Sequence, residues 1–411
     1  MKQPNWKKNI ILFLTSQAIT LFGSSLVQFA IVWYIALETQ SGIMITLMTL
    51  CGFLPQVLIS LFGGVWADRY NRKLLIIAAD AGIALATLVL AFIVMYSHDF
   101  FLALLAVSAI RSVGAGIQTP AVNALIPQIV PREKLMKISG INGSVMSIIN
   151  LVTPAVSGAV LSWGAIQYIM FIDVITAAIG ITIFLLVPVA QHHKALQQQG
   201  GYFDDLKAGL RYSFGNKFLR QLLLVCSVFS FLIVPAALLN VLMVTRIFGD
   251  NYWYLTLNEM AFFVGALLGG LVIGSWGGFN NRLKTLGWGG IVAGLTTLAI
   301  GLVDIFWLYL LIMVITGFSV PFCNSPLMVL VQEKVEPDIQ GRVFSLVQIT
   351  ATLIMPLGMA IFGPLADVIP IQWLMIGSGI ALIFLTTIVF KWKSFYAEGL
   401  NTTAIPASDM P

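Results

Sequence analysis

Apolar runs of about the length a helix needs to cross a bilayer, roughly 20 residues, follow one another along nearly the whole chain, each closed by a few polar or charged positions. They occupy residues 9–37, 43–67, 74–96, 102–126, 138–162 and 165–189 and then, after a polar stretch, 218–244, 255–276, 285–303, 306–331, 343–366 and 371–390. The pattern predicts an all-α integral membrane protein with twelve transmembrane helices.

Composition agrees, since 59% of the 411 residues are hydrophobic and 9% are charged, more apolar content than a soluble domain with a wet surface carries. The first run begins within ten residues of Met1, exceeds a signal-peptide core in length and lacks an Ala-x-Ala site before the next loop, so it is expected to stay in the mature chain. Cys51, Cys226 and Cys323 fall in three different runs and read as small apolar packing residues, with neither a disulfide nor a metal site implied. No catalytic centre and no cofactor are expected.

Charge sets the orientation. All Lys and Arg except Arg111 and Arg246 lie at the termini or on alternate connections, and positive loops stay in the cytoplasm during insertion. Both termini are therefore expected in the cytoplasm of a cell membrane, with Arg246 alone on the outer side. The net charge of +5 is a topology signal, and no basic patch with interleaved aromatics points to nucleic acid.

The twelve runs divide into two halves by a weak internal repeat. Pro120 and Pro131 recur as Pro326 and Pro337, and Gly64, Asn71 and Arg72 recur as Gly274, Asn281 and Arg282. Residues 1–189 and 218–391 then form two six-helix bundles, 190–217 a cytoplasmic linker and 392–411 a tail. Within the linker, Phe203, Leu206 and Leu210 share a face opposite Asp204, Lys207 and Arg211, which reads as a short interfacial helix.

Few polar side chains lie inside the runs. Arg111 sits about nine residues, roughly 14 Å, from the outer end of run 4; a charge at that depth must face protein or water. Asp80, Asp173 and Glu259 are the carboxylates in apolar surroundings, with Asp173 and Glu259 nearer the outside and Asp80 within reach of Lys73 on the same face. His98, His192 and His193 all fall in loops, so any proton carrier must be one of these carboxylates. Gly265, Gly269, Gly270 and Gly274 form a small-residue ridge on run 8, suited to close packing.

The loop "GGVWADRYNRK" resembles the signature loop of major facilitator transporters, Gly-x-x-x-Asp-Arg-x-Gly-Arg-Lys, through Gly64, Asp68, Arg69, Arg72 and Lys73; Asn71 replaces a Gly, and Asn also tolerates left-handed backbone. The resemblance implies a conformational gate in which Asp68, oriented by Arg72, faces the helix N-terminus near Gly341 and Arg342 when the cytoplasmic side is closed. It implies a fold of two rocking bundles whose cavity is lined by runs 1, 4, 7 and 10. Gln17, Ser24 and Gln28 on run 1 and Ser227, Ser230 and Asn240 on run 7 are then the substrate-cavity candidates. Sparse neutral groups among Phe, Met and Trp suit a bulky apolar cargo.

Arg111 in "IRSVGAG" resembles the arginine of proton-coupled drug antiporters, with Gly114 where that motif has Gln, and run 5 keeps Gly140, Pro154 and Gly158 of the antiporter helix. Segments spread over nearly the whole chain resemble the bacterial macrolide-efflux branch. That resemblance implies export of macrolides or other hydrophobic drugs in exchange for protons, by a chain functional as a monomer. An exporter of an endogenous amphiphile such as a siderophore or lipid fits the same residues, and a non-transporting membrane scaffold is a third reading.

Overall fold

The computed structural model describes residues 6–97, 99–164, 166–189 and 211–400. Among them the regular structure is helical throughout. The expected interfacial helix around Phe203 to Leu210 lies outside the described residues, as do the side chains of Asp68, Gly341 and Arg342.

The first helices are α1 (Trp6–Thr39), α2 (Gly42–Arg69), α3 (Arg72–Tyr96), α4 (Phe101–Ile129), α5 (Leu135–Ser162) and α6 (Ile166–Leu185). After the linker come α7 (Lys217–Leu232), α8 (Val234–Leu238), α9 (Asn240–Ile247), α10 (Tyr252–Trp276), α11 (Arg282–Ile300), α12 (Phe306–Lys334), α13 (Pro337–Val368), α14 (Ile371–Lys391) and α15 (Lys393–Glu398). Eleven of these are long and apolar enough to span a membrane.

The twelfth expected span, 218–244, is broken into α7, α8 and α9. Pro235 stands near the start of α8, where a ring without an N–H cannot bond the carbonyl of Phe231 and crowds it. Hydropathy reads this stretch as continuous because it senses side chains alone. A broken helix is tolerated at membrane depth where it borders a cavity, and that is its setting here.

The chain divides into two compact units: residues 1–39, 47–199 and 251–256 form one, and 40–46, 200–250 and 257–411 the other. In unit 1, α1 packs on α5 and α6, and α3 packs on α4 and α6. In unit 2, α11 packs on α12 and α14, and α7 on α13. Tyr96, Trp163 and Trp307, at helix ends, are among the most exposed large side chains, as amphipathic rings at a membrane boundary should be.

The internal repeat reappears as paired caps. Asn71 and Asn281 both precede a helix with extended backbone, φ −67° and −86°, and both side chains accept from the amides two and three residues on. Asn71 is thus a helix N-cap, and the left-handed geometry expected of it is absent. The oxygen of a short amide satisfies first-turn donors that Gly would leave open.

Two further expectations change. Lys73 donates to the carbonyls of Leu185 and Val187 at 2.8 and 2.7 Å, closing the end of α6, and Asp80 instead accepts from Gln118 Nε2 at 2.6 Å. The expected tail begins with α15, whose Phe395 is fully buried and whose Glu398 meets the buried Lys334 at 2.7 Å.

The ridge on α10 is half as wide as expected. A methyl group on Gly265 or Gly269 would overlap the carbonyls of Val314 and Phe318 on α12, and one on Gly317 would overlap that of Phe262, whereas Gly270 and Gly274 have nothing within 4 Å. Gly265→Leu is expected to destabilise the protein by about 1–3 kcal/mol or more through overpacking. Gly274→Leu should leave the thermal unfolding midpoint in detergent unchanged; equal losses in the two variants would contradict this packing.

Candidate functional site

Unit 1 holds a buried charge network. Arg111 Nη1 on α4 meets Asp173 Oδ2 on α6 at 2.5 Å, and the same nitrogen donates to Thr87 Oγ1 on α3. Thr87 donates to Asp173 at 3.0 Å, Ser24 donates to Asp173 at 3.4 Å, and Arg111 Nη2 donates to the Ser24 carbonyl at 3.1 Å. Asp173 is 1% exposed and is held at the level of Arg111 by their contact, where burial of either charge alone would be costly and the pair offsets both.

Small residues make this arrangement possible. A methyl group on Gly23 of α1 would collide with Thr176 and Asp173, and one on Gly114 of α4 would collide with Ile83 of α3. At Gly114 the α3 to α4 crossing is close, so a longer side chain there would displace Ile83. Arg111, Ser24 and Gln28 line a cavity of about 170 Å³ with Gln118, the partner of Asp80. Gln17 is buried apart from it, with Nε2 unpartnered.

Around the signature loop, Arg72 donates to the carbonyls of Ala67 and Ala124 at 2.9 and 2.8 Å, tying the end of α2 to α4. A methyl group on Gly64 would meet nothing within 4 Å among the described residues, and Arg69 is exposed. Of the residues singled out on α5, Gly158 admits Thr256 so closely that a methyl group would overlap its hydroxyl, Pro154 is buried, and Gly140 lies open.

Unit 2 carries two adjoining cavities of about 340 and 350 Å³ that share Phe229, Ser230, Cys323 and Asn324. Each reaches the lower end of the range for drug-sized sites. The first is lined by Ser230 of α7, Asn240 of α9 and Glu259 of α10, so three residues singled out separately in the sequence meet there. Ser227 turns away, donating to the Leu223 carbonyl at 2.7 Å.

Glu259 accepts a long hydrogen bond from Asn258 Nδ2, 3.4 Å, while Asn258 is itself held by the Tyr309 hydroxyl at 2.8 Å. Among the described residues Glu259 has no cationic partner, unlike Asp173. The two carboxylates thus differ in kind: one is neutralised within the protein, and the other faces a cavity.

One cluster escaped the sequence reading. In unit 2, Asp367 at the end of α13 accepts from the amides of Gly42 and Ile43 at 2.6 and 2.9 Å and from Ser41 Oγ at 2.9 Å. Arg246 bonds Asp367 at 2.7 Å and the carbonyl of Gln40, whose φ is +46°. An acidic group at exposed amides caps the start of α2. The signal available was Arg246 itself, the one basic residue left over on its side of the chain.

Residues 13–358 match the Major Facilitator Superfamily. The chain is 31% identical over 385 residues to "Macrolide efflux protein A" of Streptococcus pyogenes, covering 93% of this chain and 95% of that one. It is 33% identical over 319 residues to the Enterococcus faecalis protein of the same name, covering 77% and 99%. Its fold matches a crystal structure of a POT family transporter in complex with 5-aminolevulinic acid, with TM-score 0.75 at 13% identity over 95% of this chain and 96% of that one. It also matches a bacterial homologue of the human lysosomal transporter Spinster, with TM-score 0.67 at 15% identity over 98% of both chains. With a family match spanning most of the chain and relatives above 30% identity along it, the chain belongs to the Major Facilitator Superfamily and is a multi-pass membrane transporter.

Proposed function

We propose that this transporter exports hydrophobic or amphiphilic, macrolide-like compounds in exchange for protons by alternating access, working as a monomer with both termini in the cytoplasm. The observation that carries the reading is Glu259: a carboxylate without a cationic partner among the described residues, bordering a largely apolar cavity of about 340 Å³. An antiporter needs a carboxylate that releases its proton when cargo arrives and regains it when cargo leaves. Asp173, held by Arg111 and Thr87, is neutralised in place and is assigned a structural role; Asp80, bonded to Gln118, is the reserve candidate. The loop with Gly64, Asp68, Arg69, Arg72 and Lys73 keeps the role of conformational gate, together with Gly341 and Arg342.

Support for the cargo class comes from the macrolide-efflux relatives and from a cavity wall that places Phe229, Phe262 and Met355 beside Ile233 and Val320. Growth inhibition compares a drug-sensitive strain expressing the wild-type chain with one expressing Asp68→Asn. Resistance to macrolides confined to the wild type is expected. No change in susceptibility to any hydrophobic drug, with the protein present in the membrane, would contradict the assignment and favour an endogenous amphiphile as cargo.

A further inference from the structure

At the end of α2 opposite the signature loop, a carboxylate of α13 sits on the helix start. Asp367 accepts from the amides of Gly42 and Ile43 and from the Ser41 hydroxyl. Arg246 of α9 holds that carboxylate at 2.7 Å and also donates to the carbonyls of Gln40 and Ala366. The chain enters α2 through Gln40, whose φ of +46° a residue other than glycine keeps only where its surroundings hold it.

Beyond the charges, α2 rests directly on α13. Thr46 donates to the carbonyls of Gly42 and Met359 at 2.7 and 3.1 Å. A methyl group on Gly42 would overlap the Gly363 carbonyl, and one on Gly363 would overlap the Thr46 hydroxyl. The internal repeat supplies a control. Gly42 and Thr46 recur as Tyr252 and Thr256, the Thr256 hydroxyl donates to the Tyr252 carbonyl at 2.9 Å, and Thr256 covers Gly158 as Thr46 covers Gly363. Four residues past Gly363 stands Asp367, but four past Gly158 stands Ser162, which bonds Ala159 of its own helix at 2.8 Å. Both halves build the seat and one fastens it with charge, so the packing does not itself require the charges.

The fastening is also one that can open. The side chains of Arg246 and Asp367 are 24% and 21% exposed, against 9% and 1% for Arg111 and Asp173. Water can therefore solvate either partner on release, whereas opening the buried pair would strand two charges. Residues 40–46 belong to unit 2 and α2 from Leu47 onward to unit 1, so what is fastened is the first turn of a helix whose remainder lies in the other unit.

We infer that Asp367 and Arg246 form a releasable latch on the start of α2, opposed to the signature-loop gate at the other end of the same helix. The two devices exchange their parts: Asp68 of α2 serves the start of α13, and Asp367 of α13 serves the start of α2. Transport then alternates between a state with Asp367 seated and a state with Asp68 seated. This rests on the alternating-access reading and names the residues that favour one of its two states. A contact made in one state only shifts the equilibrium by what it is worth there.

The test reads conformation without cargo or a proton gradient. Met359, whose side chain is fully buried beside Thr46, is replaced by cysteine in the full-length chain after Cys51, Cys226 and Cys323 have been changed to alanine, and the rate of its alkylation by N-ethylmaleimide is followed in lipid nanodiscs. Asp367→Asn and Arg246→Met should each raise that rate about tenfold, the return on one charge-assisted hydrogen bond. Ser41→Ala, which trims a single contact and spares the charges, should raise it less. Asp68→Asn should lower it, and adding Asp68→Asn to Asp367→Asn should bring it back toward the starting value. Exchanging the charges, Arg246→Asp with Asp367→Arg, should leave the rate high, because a cation then faces the helix start.

A rate unmoved by both Asp367→Asn and Ser41→Ala would overturn the latch, even in a chain that still exports drug. A rise that Asp68→Asn does not counter would overturn the opposition between the two ends. The expected rates in a chain that carries no proton-driven flux would support the latch and defeat the exporter reading.

Discussion

Arg111→Ala is expected to abolish export and to destabilise the fold by about 3–5 kcal/mol, the usual result of stranding one member of a buried ion pair. Arg111 and Asp173 are 8% and 1% exposed and touch at 2.5 Å, so the truncation leaves a carboxylate among α1, α3 and α6 with Thr87 and Ser24 as its side-chain donors among the described residues. The double variant Arg111→Met with Asp173→Asn removes both charges and should recover most of the thermal stability in detergent. It should not recover export, because Arg111 also borders the unit 1 cavity beside Ser24 and Gln28. Wild-type drug resistance in the double variant would reduce the pair to a strut.

Glu259→Gln is expected to leave a folded, inserted protein whose cargo binding no longer responds to pH. In the wild type, proton and cargo compete for one carboxylate, so cargo affinity falls as pH falls, by up to about tenfold per pH unit once the carboxyl is mostly protonated. By the same linkage, acidifying the outside accelerates release and hence export. Glutamine holds no exchangeable proton in this range, so both pH profiles should go flat. Titrations of purified wild type and variant across the acid range decide the matter. Parallel slopes in the two proteins would exclude Glu259 as carrier and turn attention to Asp80.

The bundle was legible in the sequence because a bilayer demands long apolar runs and charge marks where they end. Asn71 and Arg72, recurring as Asn281 and Arg282, were visible as a repeat, and the caps that the two asparagines form give that repeat a physical reason. The break at Pro235 was hidden, because the side chains on either side of it are uniformly apolar and hydropathy carries no record of backbone hydrogen bonds.

Pairing over distance was hidden too. Arg111 and Asp173 are each conspicuous alone, yet only the packing of α3, α4 and α6 brings them to one point, and it does so because Gly23 and Gly114 let the helices approach. Asp367 drew no notice, since one acid near a helix end looks like any solvated charge until the amides of Gly42 and Ile43 are seen facing it. The grouping of Ser230, Asn240 and Glu259 depends likewise on the broken α7 to α9 segment.

The central claim is that an outward flow of amphiphilic cargo is driven by an inward flow of protons through this chain. The most direct measurement reconstitutes the purified protein into liposomes with an acidic interior and follows uptake of a radiolabelled macrolide, corrected for protein-free vesicles. The account predicts accumulation above equilibrium that collapses when nigericin dissipates the pH gradient and is absent with Glu259→Gln. Uptake that equals the protein-free level, or that persists undiminished after the gradient is removed, would contradict it.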